Sequence, residues 1–375
     1  MNSSPGRSMD LHDRQLSGVD TPAAWWRLGF AVAVSTIGSV GMWSMPVALP
    51  FVQADFGITR AEVTLPYTLA MTGFALGGVA MGRLCDRFGV VVAIILGNLA
   101  LGISYVGTSL APTPLTFALM HLLIGVGASA TFGPLMADMS QWFMRHRGFA
   151  VGLAASGNYI GGALWPPVLQ HAMATGGWRH TYLGVGMFCA LATLPFIVAL
   201  RRARPIAWML EAASTRSAHN LGVSPNALMV LLCVAGLACC VAMAMPQVHI
   251  VAYCGDLGYG PARGAEMLSA MLGFGILSRI GSGLMADRLG GAPTLLIGSV
   301  LQGIALFLYL LFDGLVSLYI ISALFGLFQG GIVPMYAIIV REYFSPKEVG
   351  IRIGIVLMAT LFGMAAGRLD VGHNL

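Results

Sequence analysis

Arg279 is the residue whose type and surroundings best fit a binding role. It lies in an apolar stretch, 265–285, that is long enough to cross a membrane. An arginine at the centre of a spanning helix costs about 2.5–3.5 kcal/mol on insertion scales, so such residues face a polar cavity as a rule. The planar guanidinium can hold a carboxylate through two hydrogen bonds. We therefore predict that Arg279 binds an anionic substrate. The alternative is that its side chain extends to the nearby membrane interface.

Three further polar residues in apolar stretches are candidates for the same site: His121, Tyr159 and Gln329. The imidazole of His121 titrates near neutral pH and could couple proton movement to substrate binding. A ring that only bonds a backbone carbonyl is the structural alternative, for His121 and equally for His249. Tyr159 and Gln329 are predicted to line a cavity, with helix packing or interface anchoring as the alternative.

A charged segment occurs twice in the chain. Residues 82–89 read GRLCDRFG and residues 283–290 read GLMADRLG, a shift of 201 (283 − 82). Charges at a helix end pair with each other or with the positive N-terminus of a neighbouring helix. We predict that these charges form a conformational latch, in which Asp138 pairs with Arg83 or Arg87; a solvated turn is the alternative. The predicted latch residues are Gly82, Arg83, Asp86, Arg87, Gly89, Asp138, Asp287 and Arg288.

The chain that carries these residues does not have the composition of a water-soluble domain. It is 57% hydrophobic and 9% charged, whereas soluble domains have roughly 45–50% apolar and 25% charged residues. Stretches that reach the roughly 20 apolar residues of a spanning helix lie at 27–52, 62–82, 90–110, 115–137, 149–172, 181–200, 227–253, 265–285, 292–312, 315–340 and 351–367. The sequence thus predicts an all-α integral membrane protein with about eleven spanning helices.

The basic residues predict the orientation and the organisation of the chain. Fifteen of them fall in segments on the same side as the N-terminus and three in loops on the other side, and an excess of Lys and Arg marks the cytoplasmic side. The N-terminus is therefore predicted to be cytoplasmic. The expected parts are a tail (1–26), a six-helix bundle (27–200), a cytoplasmic linker (201–226) and a second bundle (227–375).

The charged repeat belongs to a longer internal repeat. Nearly the same shift relates Pro134 to Pro334, and two related six-helix halves are typical of secondary transporters. On this repeat the partner of the span 181–200 would lie beyond residue 375. The second bundle is therefore predicted to have about five helices, with the twelfth helix missing from a truncated C-terminus.

On the segment 82–89 and its copy, the sequence resembles the major facilitator superfamily over nearly its whole length. Within it, the chain is most similar to the monocarboxylate and oxalate–formate exchanger branch. That similarity is carried by stretches at 132–134, 147–148, 152–157, 177–179 and 279–283. The resemblance implies a major-facilitator-type fold, secondary transport by alternating access, and a contact between Asp86 and the start of the eleventh helix near Gly350.

Three positions depart from the monocarboxylate carriers. The first helix, at 43–48, has no lysine where those carriers have one. His121 stands where many proton-coupled members of the superfamily have an arginine, and Gly275 stands where monocarboxylate carriers have an aspartate. These differences argue against the proton-coupling scheme of those carriers.

The sequence predicts a secondary transporter of a small organic anion, such as a monocarboxylate or dicarboxylate, in the inner or plasma membrane. Export of a neutral or amphipathic compound and an inactive, truncated transporter are the alternatives. A proton or a counter-anion is the expected coupling partner, and a monomer in the lipid bilayer is the expected state. No metal-ligand cluster, no nucleophile with its base and no Walker motif is apparent. We therefore expect no enzyme activity, cofactor or metal, and no nucleic-acid partner because the basic residues form no single patch.

Overall fold

The computed structural model describes residues 19–57, 65–201 and 222–369. Over these residues the chain forms eleven helical spans: α1 (Pro22–Phe56), α2 (Leu65–Phe88), α3 (Val90–Ser109), α4 (Pro114–Trp142), α5 (Arg147–Gly176), α6 (Trp178–Ala199), α7 (Pro225–Asp256), α8 (Pro261–Leu289), α9 (Gly291–Leu311), α10 (Leu315–Tyr343) and α11 (Val349–Leu369). A 3₁₀ turn, Pro346–Glu348, precedes α11. Within the described ranges, nine helical segments are long and apolar enough to cross a membrane, and α11 adds a shorter apolar stretch, Val349–Ala365.

The all-α membrane fold predicted from the apolar stretches is confirmed, with helix boundaries a few residues wider than predicted. Residues 1–18 of the predicted tail, 202–221 of the predicted linker and the final residues 370–375 lie outside the described residues. The absence of a twelfth helix stays a prediction.

Four spans that the sequence predicts as continuous are interrupted. Their pieces are Pro22–Gly38 and Val40–Phe56 in α1, Pro114–Ser129 and Gly133–Trp142 in α4, Trp178–Ala192 and Leu194–Ala199 in α6, and Leu315–Gln329 and Ile332–Tyr343 in α10. In α4 and α10 the second piece begins around a proline, Pro134 or Pro334. A proline nitrogen carries no hydrogen, so the carbonyl four residues earlier loses its helical donor. The two breaks occupy equivalent places in the two halves of the chain.

The two halves meet along a pair of equivalent helix crossings, α2 against α11 and α5 against α8. Each crossing is made by facing glycines, Gly82 with Gly350 and Gly148 with Gly283. A Cβ atom at any of these four positions would lie within 3.0 Å of the facing backbone oxygen. Small residues are the usual means by which membrane helices approach so closely. The repeat in the sequence therefore corresponds to a repeated interface.

The buried apolar residues show which end of the molecule is closed. One large cluster contains residues of both halves around the glycine crossings, among them Cys85, Val349 and Ile353. A second cluster, which includes Met267 and Phe325, contains residues of the second half alone. The halves therefore share a core at the end that carries Asp86 and Asp287. At the opposite end the second half has a core of its own.

Candidate functional site

Arg279 lies on α8 at the junction of α5, α8 and α10. Its side chain is 3% exposed. The Nε atom donates to the Gly330 carbonyl on α10 at 3.2 Å, and Nη1 donates to the Ala155 carbonyl on α5. The Cζ atom lies 3.6 Å from the centre of the Tyr159 ring. The guanidinium thus points between the two halves of the chain, and the alternative in which it extends to the membrane interface is wrong.

The local sequence explains how this arginine is held. Pro334 cannot donate to the Gly330 carbonyl, so that oxygen is left free by the break in α10 and accepts from Arg279. Gly275, one turn before Arg279, leaves room for the Tyr159 ring: a Cβ at this position would lie 2.5 Å from Tyr159 Cε2. The position where monocarboxylate carriers have an aspartate is therefore covered here by a tyrosine ring.

Gln329 and Tyr159 complete this group. Gln329 is fully buried, and its Nε2 donates to the Tyr159 hydroxyl at 3.4 Å. The Gln329 Oε1 atom is buried with no partner among the described residues. An unsatisfied buried acceptor is costly unless a ligand or a water supplies a donor. Three residues that the sequence singles out separately, Arg279, Tyr159 and Gln329, therefore lie together.

Arg279 has no acidic partner among the residues that the structure describes. Within the described part of the chain, no carboxylate lies within ion-pair distance of it. Two neutral carbonyls and an aromatic face stabilise the cation, but they do not neutralise its charge. A buried, uncompensated positive charge between the two halves is the arrangement that favours an anionic ligand.

His121 does not belong to this group. It is fully buried on α4, with Nδ1 2.8 Å from the Phe117 carbonyl and Nε2 3.2 Å from the Tyr182 hydroxyl on α6. Its ring packs against Phe117 at 4.4 Å between centroids. Both ring nitrogens are thus engaged inside the first half, as the structural alternative predicts. A role in substrate binding or proton coupling stays untested, but the structure does not bring His121 to Arg279.

A polar cavity beside the Arg279 group has no counterpart in the sequence-based prediction. It is a narrow crevice with no room for a water molecule, and it is lined by Ser35, Ser39, Met42, Phe74, Thr131, Phe132 and Asn158. Asn158 precedes Tyr159 on α5 and lies 3.3 Å from the indole Nε1 of Trp43, which donates to it. The hydroxyls of Ser39 and Thr131 donate to carbonyls of their own helices, so their lone pairs stay available as acceptors.

Sequence reasoning overlooked these residues because serine and threonine are common at helix packing faces. The signal that could have found them is the coincidence of small hydroxyl residues with interrupted spans. Ser39 marks the break in α1, and Thr131 lies in the break of α4. Broken helices line binding sites in membrane transporters because the freed backbone groups need a polar environment.

The predicted latch residues at the closed end form two equivalent contacts. The carboxylate of Asp86 accepts from the N–H groups of Gly350 and Ile351, each at 2.8 Å. The carboxylate of Asp287 accepts from Gly148 at 2.5 Å and Phe149 at 3.1 Å. In both cases the donors are the second and third residues of a helix in the other half. A carboxylate at a helix N-terminus satisfies free N–H groups and compensates the helix dipole.

The two glycines of the predicted latch have separate roles. Gly82 permits the helix crossing, whereas Gly89 ends α2 with a φ of 87°, a conformation that favours glycine. Gly290 repeats this turn with a φ of 90°. Arg83, Arg87 and Arg288 are exposed at the same end.

The predicted pairing of Asp138 is wrong. Asp138 is fully buried and pairs with Arg27 of α1 at 2.8 Å, instead of with Arg83 or Arg87. Arg27 also donates to the Leu200 carbonyl at 2.8 Å. The reason is the direction in which α4 faces: Asp138 points into the first half, while Arg83 and Arg87 lie on its outer surface. Asp138 therefore ties α1, α4 and α6 together and does not join the contact between the halves.

Among the described residues, no group of three or more His, Cys, Asp or Glu is placed to hold a metal ion. The chain has six free cysteines, four of them buried. The chemistry available at the junction is thus hydrogen bonding and charge, which suits binding and release of a solute.

Comparison with known proteins agrees with this architecture. The curated relatives include the MFS-type transporter pynF of Aspergillus niger, 24% identical over 305 residues, which are 80% of this chain and 69% of that protein. Monocarboxylate transporter 13 of Bos taurus is 25% identical over 319 residues, 84% of this chain and 74% of that one. The Probable sulfoacetate transporter SauU of Cupriavidus necator is 26% identical over 160 residues, covering 42% of this chain and only 37% of that protein.

Solved structures show the same fold at low sequence identity. The human organic anion transporter MFSD10 aligns with a TM-score of 0.74 at 13% identity, covering 93% of both chains. The proton:xylose symporter XylE aligns with a TM-score of 0.72 at 14% identity, covering 93% of this chain and 88% of that one. The family model of the Major Facilitator Superfamily matches residues 30–367. The chain is a multi-pass helical membrane protein with two equivalent interfaces around a buried polar junction. It belongs to the Major Facilitator Superfamily and is a transporter of a small molecule, not an enzyme.

Proposed function

We propose that the chain is a secondary active transporter of a small organic anion, with a monocarboxylate or dicarboxylate as the substrate class. The observation that carries this proposal is the buried Arg279, which has no acidic partner within the described residues and lies where both halves meet. A carboxylate would supply the missing negative charge and two acceptors for the guanidinium. Similarity to monocarboxylate transporter 13 and to a sulfoacetate transporter supports an anionic substrate.

Gln329 and Tyr159 are proposed to hold the rest of the substrate, and the neighbouring polar crevice would have to widen to admit any part of it. The free Oε1 of Gln329 would accept a hydrogen bond, and so would the hydroxyls around Asn158. A hydroxyl or a second polar group on the substrate would satisfy these acceptors. The proposed site therefore favours short, polar carboxylates over long apolar ones.

Alternating access would work through the two carboxylate contacts at the closed end. Asp86 and Asp287 stabilise the arrangement in which that end is closed and Arg279 is buried between the halves. Opening requires both carboxylates to leave the N-termini of α11 and α5. A substrate that neutralises Arg279 lowers the cost of moving this charge between the two states.

The coupling partner is proposed to be a counter-anion or a proton. Exchange of one anion for another is favoured, because Gly275 and Tyr159 occupy the place of the carboxylate that a proton would use. We further propose an inner or plasma membrane location with the N-terminus in the cytoplasm, and a monomer. The proposed orientation rests on the distribution of basic residues.

Uptake into proteoliposomes would test the proposal. Wild type should take up a labelled monocarboxylate or dicarboxylate faster than it takes up an uncharged solute of similar size. Arg279→Gln should lower this uptake by at least about tenfold, because hydrogen bonds to charged groups contribute roughly 1.5–3 kcal/mol. Arg279→Lys keeps the charge without the planar fork and should be intermediate.

The matched control is Arg263→Gln, which removes an exposed arginine from α8 that already pairs with Glu266 at 3.0 Å. This variant should transport like wild type. Undiminished carboxylate uptake by a correctly inserted Arg279→Gln variant would refute the proposed role of Arg279.

Export of a neutral or amphipathic compound is the second candidate. One observation favours it: Arg279 already donates to two backbone carbonyls and stacks on Tyr159, which would suit a purely structural role. In that case the uncharged solute would be moved and Arg279→Gln would change stability more than selectivity.

A further inference from the structure

A separate cavity lies between the start of α1 and the end of α6, and its lining includes no residue of the Arg279 group. It has a volume of about 560 Å³ and is lined by Ala23, Trp26, Arg27, Phe30, Trp142, Val198, Ala199 and Arg201. None of these lining residues is acidic. The transport mechanism proposed above makes no use of this cavity, so its chemistry needs a separate explanation.

The cavity combines hydrogen-bond donors with apolar walls. Trp142 is 4% exposed, and its indole Nε1–H has no acceptor among the described residues. Arg201 is exposed at the end of α6. Arg27 is held in place by Asp138 at 2.8 Å and stacks on Trp142 with Cζ 4.4 Å from the ring centre. The cavity therefore offers a fixed cation that is already paired, an exposed cation at its edge and one donor that has no acceptor among the described residues.

The outer walls have the character of a surface that faces lipid. Trp26 is 71% exposed and Val198 is 62% exposed, and Phe30 lies between them on the cavity wall. Exposed tryptophans near helix ends, close to basic residues, are typical of the membrane–water interface. A ligand of this cavity would thus meet positive charge and a donor at one end and apolar side chains at the other.

We propose that this cavity binds the phosphate group of an anionic phospholipid from the leaflet at the Arg27 end of the molecule. The phosphate oxygens would accept from the Trp142 indole and the Arg201 guanidinium. The acyl chains would lie along the exposed apolar surface of α1 and α6. Basic residues beside spanning helices attract anionic lipids electrostatically, and basic pockets between helices bind their headgroups. Free phosphate would satisfy the donors but would leave the apolar walls uncovered.

Native mass spectrometry of the full chain, exchanged from detergent with phosphatidylglycerol or with phosphatidylcholine, would test this. Wild type should retain more phosphatidylglycerol, at a defined stoichiometry. Arg201→Gln should weaken this retention by about fivefold, the effect expected for one basic residue near a lipid surface. Trp142→Phe keeps an aromatic ring but removes the indole donor together with the five-membered ring, and it should also lower retention.

Arg145→Gln is the matched control, since it removes an exposed arginine at the same end that does not line the cavity. It should bind phosphatidylglycerol like wild type. Equal retention of the two lipids by wild type would overturn the proposal. A loss in Arg145→Gln as large as in Arg201→Gln would indicate diffuse surface binding instead. Displacement by inorganic phosphate at equal concentration would indicate a site for a free anion. Either outcome would contradict the assignment to a lipid.

Discussion

Neutralising one of the two helix-terminal carboxylates should loosen the closed end of the transporter. Asp86 accepts two hydrogen bonds from the start of α11, each 2.8 Å long. In Asp86→Asn the amide oxygen can still accept one of them, whereas the NH₂ group would face the second N–H donor. Hydrogen bonds to a charged group contribute about 1.5–3 kcal/mol each. At about 1.36 kcal/mol per factor of ten, the equilibrium between closed and open ends should shift by roughly 10- to 150-fold.

Amide hydrogen exchange gives a direct measurement, because the donors are backbone amides. Asp86→Asn should speed exchange at Gly350 and Ile351, and Asp287→Asn should do the same at Gly148 and Phe149. If the two contacts hold one closed state, each variant should also speed exchange at the other helix start. In transport assays Asp86→Asn should slow the cycle more than it weakens substrate affinity. Unchanged exchange at both helix starts, or a variant whose main defect is affinity, would refute the latch.

Three further predictions concern individual residues. Gly275→Ala should lower carboxylate uptake with little loss of expression. The added Cβ would lie 2.5 Å from Tyr159 Cε2, so it must displace the ring that covers Arg279. Equal uptake by wild type and variant would contradict this. Asp138→Asn should lower the thermal unfolding midpoint in detergent, since breaking a buried ion pair costs about 3–5 kcal/mol, while the exposed Arg83→Gln should leave the midpoint unchanged. His121→Gln should show the same pH dependence of uptake as wild type between about pH 5 and 8, because both ring nitrogens of His121 already have partners within the first half. An altered pH profile would support His121 as a coupling residue.

The sequence predicts the features that depend on a local pattern of residue types. Apolar length predicted the spans, and the repeated segment at 82–89 and 283–290 led to Asp86 and Asp287 as an equivalent pair. Arg279 stood out because a charge in an apolar helix is costly wherever the helix lies. Features that depend on the direction of a side chain were missed. Asp138 faces into the first half and pairs with Arg27, whereas the arginines assigned to it lie on the outer surface. The crevice around Asn158 is assembled from four different spans.

The breaks in α4 and α10 fall between these two cases. The internal repeat relates Pro134 to Pro334, and a proline removes one backbone donor wherever it lies in a helix. Which group then uses the freed carbonyl depends on the neighbouring helix. In the second half Arg279 donates to Gly330. In the first half the residue equivalent to Arg279 is Gly78, by the same shift of 201 (279 − 78), and it provides no donor. The two halves thus share a scaffold and differ in the side chain that gives the site its charge.

This distinction between scaffold and site can be tested on a single helix. Gly78 and Gly82 lie one turn apart on α2, yet a Cβ at Gly78 meets nothing within 4 Å, whereas a Cβ at Gly82 would lie within 3.0 Å of the Gly350 backbone. Gly82→Ala should therefore force α2 and α11 apart and destabilise the closed end by about 1–3 kcal/mol, the usual effect of overpacking. In the second half Gly283 faces Gly148 in the same way as Gly82 faces Gly350, whereas a Cβ at Gly281, two residues earlier, would meet nothing within 4 Å. Faster amide exchange at the start of α11 in Gly82→Ala, but not in Gly78→Ala, is the expected result. Similar exchange in the two variants would mean that the glycine crossings do not determine the closed state.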